Sequence, residues 1–94
     1  MSGDAGGGEG DELVAIDSDA VWPEDAADVE EAVVANWFVR EGARVEAGET
    51  VCEIQIEKVS IDVPAPATGV LESVEVPDNG EFRRGDALGY VRVG

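Results

Sequence analysis

At 94 residues the chain has room for one small domain, and a domain of this size buries too little surface to enclose a deep catalytic cleft with its own machinery. Its 22 acidic residues against 6 basic ones, with no histidine, give a net charge of −16, which repels nucleic acid and anionic membrane alike. Cys52 is the only cysteine, so an internal disulfide is excluded, and without histidine or a cysteine cluster no metal site is credible.

Residues 1–12 are rich in Gly, Asp and Glu with no periodic apolar residues, and read as a disordered acidic tail. The ordered domain is expected over 13–94. Val14 and Ile16, followed by Val21 and Trp22, predict a first strand. Pro23 to Asp28 is acidic and opens with proline, which predicts a loop, and Glu30 to Ala32 is grouped with it. Val33 to Arg40 predicts a second strand. Val51 to Ile56 predicts a third, with Cys52, Ile54 and Ile56 on one face and Val51, Glu53 and Gln55 on the other. Val59, Ile61 and Val63 alternate with Ser60 and Asp62 in a further strand, and Val70 to Val76 and Leu88 to Val93 complete the set.

The second half of this pattern repeats the first at an offset of 37 residues. Val33-Val34 aligns with Val70-Leu71, Trp37 and Val39 with Val74 and Val76, and Val45-Glu46-Ala47-Gly48-Glu49 with Phe82-Arg83-Arg84-Gly85-Asp86. Gly42 aligns with Asn79, the two residue types that best tolerate a left-handed backbone. Two copies of a short-strand unit predict an all-β fold: a flattened barrel or sandwich of two antiparallel, roughly four-stranded sheets related by a pseudo-twofold axis.

The alternation of Cys52, Ile54 and Ile56 with Val59, Ile61 and Val63 breaks once, between Ile56 and Val59. A two-residue hairpin turn at Glu57-Lys58 keeps both sets on one inward face. Neither residue is Gly or Asn, so a type I turn is expected. Lys58 then projects from a rigid tip into water. A lysine at a hairpin tip is ordinarily a solubilising charge, but the other five basic residues are all arginine. A sequence that avoids lysine yet keeps one here points to chemistry that needs a primary amine, which a guanidinium does not replace.

On these residues the chain resembles the lipoyl domains, the carrier domains of 2-oxoacid dehydrogenase complexes, from about Leu13 to Val93. Ile56-Glu57-Lys58-Val59 is similar to the family's modified tip. Asn36 to Gly42 resembles its Trp-bearing strand and turn, and Val63 to Gly69 resembles the loop after the hairpin. The resemblance implies a barrel-sandwich hybrid with lipoate in amide linkage to Lys58, flanked by Glu57 and Val59, on a freestanding non-catalytic carrier. It implies as partners a lipoate ligase or transferase, a thiamine-dependent decarboxylase, an acyltransferase and dihydrolipoamide dehydrogenase. Gln55, where the family often has Glu, and Gly69, eleven residues beyond the lysine, become candidates for recognition by the ligase or a partner. The segment from Pro23 to Trp37 has the spacing of the family's surface loop beside the lysine, without its usual glycines. Full acyltransferase chains of this kind continue into further domains, and the resemblance carries none of their activities.

Biotinyl carriers resemble the same fold, but their lysine is typically flanked by Met, where this chain has Glu57 and Val59. An unmodified interaction module and a glycine-cleavage-type carrier also remain compatible with these residues. Cys52, Trp22 and Trp37 are expected in the core, and the turn glycines cradle no phosphate because no helix follows them. The acidic residues are spread along the whole chain, as on proteins that stay solvated in concentrated salt, and like-charge repulsion favours a monomer. With no signal peptide or apolar spanning run visible, a cytoplasmic location is the expectation.

Overall fold

The computed structural model describes residues 12–94. The expected tail lies outside this range except for Glu12, which already belongs to a strand. Alternating apolar residues build eight strands among the described residues: β1 (Glu12–Asp17), β2 (Glu31–Trp37), β3 (Arg44–Val45), β4 (Thr50–Ile56), β5 (Val59–Pro64), β6 (Gly69–Val74), β7 (Glu81–Arg83) and β8 (Ala87–Val93). They form two four-stranded antiparallel sheets, ordered β1-β8-β6-β3 and β5-β4-β2-β7. Between them lie Ile16, Val34, Val45, Ile54, Ile56, Val63, Leu71, Leu88 and Val91, none more than 1% exposed. The core is thus aliphatic, and the aromatic rings of Trp22 and Phe82 close one side of it edge to face, 6.3 Å apart.

The repeat is structural. Adding 37 to Thr50–Ile56 gives Ala87–Val93, the bounds of β8. Gly42 (φ 91) and Asn79 (φ 68) are both left-handed, as are Gly48 (φ 90) and Gly85 (φ 93). The hydrogen bonds repeat as well. Gly42 N–H donates to the Leu71 carbonyl (2.8 Å) and Asn79 N–H to that of Val34 (2.7 Å). Glu41 accepts from Val74 N–H (2.7 Å), and its counterpart Asp78 accepts from Trp37 N–H (2.8 Å). Each half therefore ties its own turn to a strand of the other, which locks the two sheets together.

Several expectations need correction. The first strand stops at Asp17, and Ser18–Val21 is a 3-10 turn. The Asp17 carboxylate accepts from Asp19 N–H (2.9 Å), while the buried Ser18 hydroxyl accepts from Gly85 N–H (2.9 Å). These side-chain bonds pull the backbone out of the ladder, which apolar alternation does not reveal. A second 3-10 turn, Glu24–Ala26, lies within the expected loop. β2 begins at Glu31 and ends at Trp37, because Asp78 takes the Trp37 amide; Phe38 to Arg40 lie beyond it. β6 stops at Val74, where Glu41 does the same. β3 and β7 are too short to leave a periodic signal. Val51 is buried along with Cys52, because the β4–β5 register shifts between Thr50 and Cys52 and breaks the strict alternation.

Candidate functional site

β4 and β5 pair from Cys52↔Val63 through Ile54↔Ile61 to Ile56↔Val59, which leaves Glu57 and Lys58 as the two turn residues. The two-residue tip is the one expected, but the turn type is not. Glu57 has φ 55, a left-handed value that a type I turn does not contain. The strand partners across the hairpin would splay in a type I turn, whereas a left-handed first residue follows their twist. Gln55 closes the turn from the outer face of the sheet: its side-chain amide donates to the Glu57 carbonyl (3.1 Å). A glutamate at this position would have only acceptors to offer at neutral pH.

Burial falls along β5 toward the tip. Val63 is 1% exposed and Val59 48%. Val59 thus shares the inward face by register, as expected, but projects past the core and is not buried by it. Across from it, Ile56 is 1% exposed. Asp25 and Ala26 of the second 3-10 turn join Ile56, Glu57, Lys58 and Val59 in lining an open cleft at the tip. Lys58 itself is exposed and enters none of the ion pairs formed among the described residues. An exposed primary amine on a rigid two-residue turn, beside a partly apolar cleft, fits a covalently attached group with an aliphatic chain.

The loop that supplies Ala26 is held from the opposite side. Arg84 pairs with Asp19 (Nε to Oδ1, 2.6 Å), donates to the Ala27 carbonyl (3.1 Å) and lies 6.0 Å from the Trp22 ring centre. Trp22 in turn donates from its indole nitrogen to the Ala26 carbonyl (2.9 Å). Sequence patterning does not single out Arg84. Its one signal is that the repeat places Ala47 at the equivalent position, so this arginine serves one half only.

Gly69 does not join the hairpin. It lies in the other sheet, where a Cβ would meet the Arg92 carbonyl oxygen at 2.1 Å, so close packing of β6 on β8 is enough to require glycine there. Trp37 is a packing residue whose indole donates to the Val76 carbonyl (2.7 Å). Cys52 is buried, and that burial, with the Asp78 carboxylate adding to it, pushes its thiol up to about 12, far from a nucleophile's range. The outer face of the hairpin sheet is acidic. Glu53 and Asp62 sit directly opposite each other, Glu31, Glu57 and Glu81 border a shallow groove with Gln55, and Arg83 neutralises only Glu31 (3.6 Å).

Residues 20–91 match the biotin/lipoyl family model, described as biotin-requiring enzyme. The chain is 43% identical over 56 residues to the dihydrolipoyllysine-residue succinyltransferase component of the human mitochondrial 2-oxoglutarate dehydrogenase complex, covering 60% of this chain and 12% of that protein. Against the Bacillus subtilis component the identity is 31% over 72 residues, 77% of this chain and 17% of that one. The solution structure of the lipoyl domain of the 2-oxoglutarate dehydrogenase complex from Azotobacter vinelandii matches with a TM-score of 0.62 at 29% identity, over 78% of this chain and 89% of that one. The chain therefore spans a small fraction of the curated relatives and most of an isolated lipoyl domain. With two paired sheets, a doubled turn pattern and one lysine at the apex of β4–β5, the chain belongs to the biotin/lipoyl family and has the fold of its lipoyl domains.

Proposed function

We propose that the protein is a lipoyl carrier, with lipoate in amide linkage to Lys58, that serves a 2-oxoacid dehydrogenase complex. The observation that carries this reading is the single lysine of the chain standing exposed at a two-residue tip. When bound, lipoate supplies a dithiolane that takes up and hands on acyl groups and electrons. The chain's own residues present it. The β4–β5 ladder holds the backbone on either side of Lys58, the Ala26 loop walls one side of the exit, and Glu57 keeps the tip acidic. Amide formation removes the lysine charge, leaving 5 basic against 22 acidic residues and a net charge of −17. Such a tip suits a positively charged active-site mouth.

The partners under this reading are a lipoate ligase or transferase and the decarboxylase, acyltransferase and dihydrolipoamide dehydrogenase of the complex. The names of the relatives favour 2-oxoglutarate as the oxoacid. The domain performs no chemistry itself; docking raises the local concentration of the arm at each partner. The dispersed acidic surface we read as a solvation device for concentrated salt.

Intact mass of protein purified from its native host tests the assignment. A lipoyl increment on the wild type and none on Lys58→Arg is the expected result, with complex-dependent turnover lost in the variant although its charge is kept. A biotinyl increment, or turnover that survives Lys58→Arg, rejects it.

A further inference from the structure

Two-residue hairpin turns with a left-handed first residue come in two forms, related by flipping the central peptide. In one the second residue is left-handed too, and in the other it is not. Glu57 is left-handed here and Lys58 is not. The central peptide is the Glu57–Lys58 bond, and its oxygen is the Glu57 carbonyl that accepts from the Gln55 side chain at 3.1 Å. Gln55 is anchored below the turn in the ladder, opposite Ser60, and its side chain is exposed on the outer face. A donor on that face favours the form whose carbonyl points toward it.

We infer that Gln55 is a positioning residue for the modification of Lys58: its amide selects one of the two orientations of the Glu57–Lys58 peptide, and so the direction in which the lysine leaves the tip. This role rests on the assignment of Lys58 as the attachment site and adds how the site is preset. A carboxylate at position 55 would face the carbonyl with no proton to give, and an isosteric apolar side chain would make no bond at all. Either change lets the peptide flip and divides the tip between two lysine directions. Only one of them suits the ligase, so the apparent affinity for the domain falls with the fraction that remains competent while the rate at saturation is kept. The loss of one neutral hydrogen bond corresponds to about fivefold in that fraction.

The test pairs Gln55→Glu and Gln55→Met with the wild type, and uses Lys58→Arg as the unmodifiable control. Lipoylation by a purified lipoate–protein ligase with lipoate and ATP is followed by intact mass. The Lys58 amide–Hα coupling, which reports its φ, is read by NMR without any ligase. Both variants are expected to keep the wild-type thermal midpoint, to raise KM for the domain about fivefold at unchanged kcat, and to shift the Lys58 coupling toward the flipped form. The inference is overturned if either variant is modified like the wild type. It is also overturned if rates fall while the coupling stays fixed, since the ligase would then be reading position 55 directly. A wild type that gains no lipoyl mass overturns the carrier assignment instead, and the coupling still decides whether Gln55 sets the turn.

Discussion

Lys58 was legible because of what surrounds it in composition: every other basic position is arginine, so the one amine stands out on residue counts alone. The conformation of Glu57 was not legible. Its side chain gives no reason for a left-handed backbone, and the cause lies in the twist of the paired strands and the Gln55 amide. Gly69 was legible as a glycine worth noting but not for the right physical reason. Gly69→Ala is expected to destabilise the fold by about 1–3 kcal/mol, because the new methyl runs into the Arg92 backbone and not into a flexible side chain. A urea titration checks this, and an unchanged midpoint would rule out the packing requirement. For Cys52, the folded thiol titrates near 12 against an ordinary 9.0. The protonated form is therefore favoured by folding: its contribution to stability is complete below pH 9.0 and is lost as pH rises toward about 12. Urea midpoints measured across that window should fall more steeply in the wild type than in Cys52→Val.

At the scale of elements, long alternating runs were recognisable and short ones were not. β4, β5 and β8 carry enough inward-facing aliphatics to declare their period, whereas β3 and β7 contain two and three residues and exist only because a partner strand pairs with them. The turn from Ser18 to Val21 looked like a continuing strand because Val21 and Trp22 are apolar; hydrogen bonds from residues far along the chain decide otherwise. Arg84 is the clearest case of an element held from a distance. It joins the 3-10 turns beside Lys58 to the β7–β8 turn through Asp19, Ala27 and Trp22. Arg84→Ala is expected to cost about 1–2 kcal/mol and to speed amide exchange at Ala26, Ala27 and Val29, while the β4–β5 ladder stays protected. Exchange that rises equally in both places would show that the arginine supports the whole fold and not the loop.

For the whole molecule, charge and symmetry act together. A net charge of −16 on so small a domain opposes compaction, and the Glu53–Asp62 pair adds a local repulsion across two paired strands. Salt should relieve both. Raising KCl from 10 mM to 1 M shortens the screening length from about 30 Å to about 3 Å, so the thermal midpoint is expected to rise over that range. A midpoint indifferent to salt would mean that the acidic surface is not under strain. The pseudo-twofold places Glu12 and Val93, paired at the ends of β1 and β8, where the other sheet pairs Ile56 with Val59. The outer ends of β1 and β8 thus lie at the position equivalent to the lysine tip, which leaves the tip itself free for a partner.

The sequence by itself determined the all-β class, the doubling at 37 residues, the register of the β4–β5 hairpin and the residue at its apex, because side-chain alternation and turn-compatible residues are local signals that survive without context. Only the tertiary structure decided the handedness of Glu57, the end of β1, the pinning of the lysine-side loop by Arg84 and the close approach that requires Gly69. Each of these depends on a hydrogen bond or a steric contact between residues that are brought together by the sheets or the turn, and such a contact has no periodicity to be read along the chain.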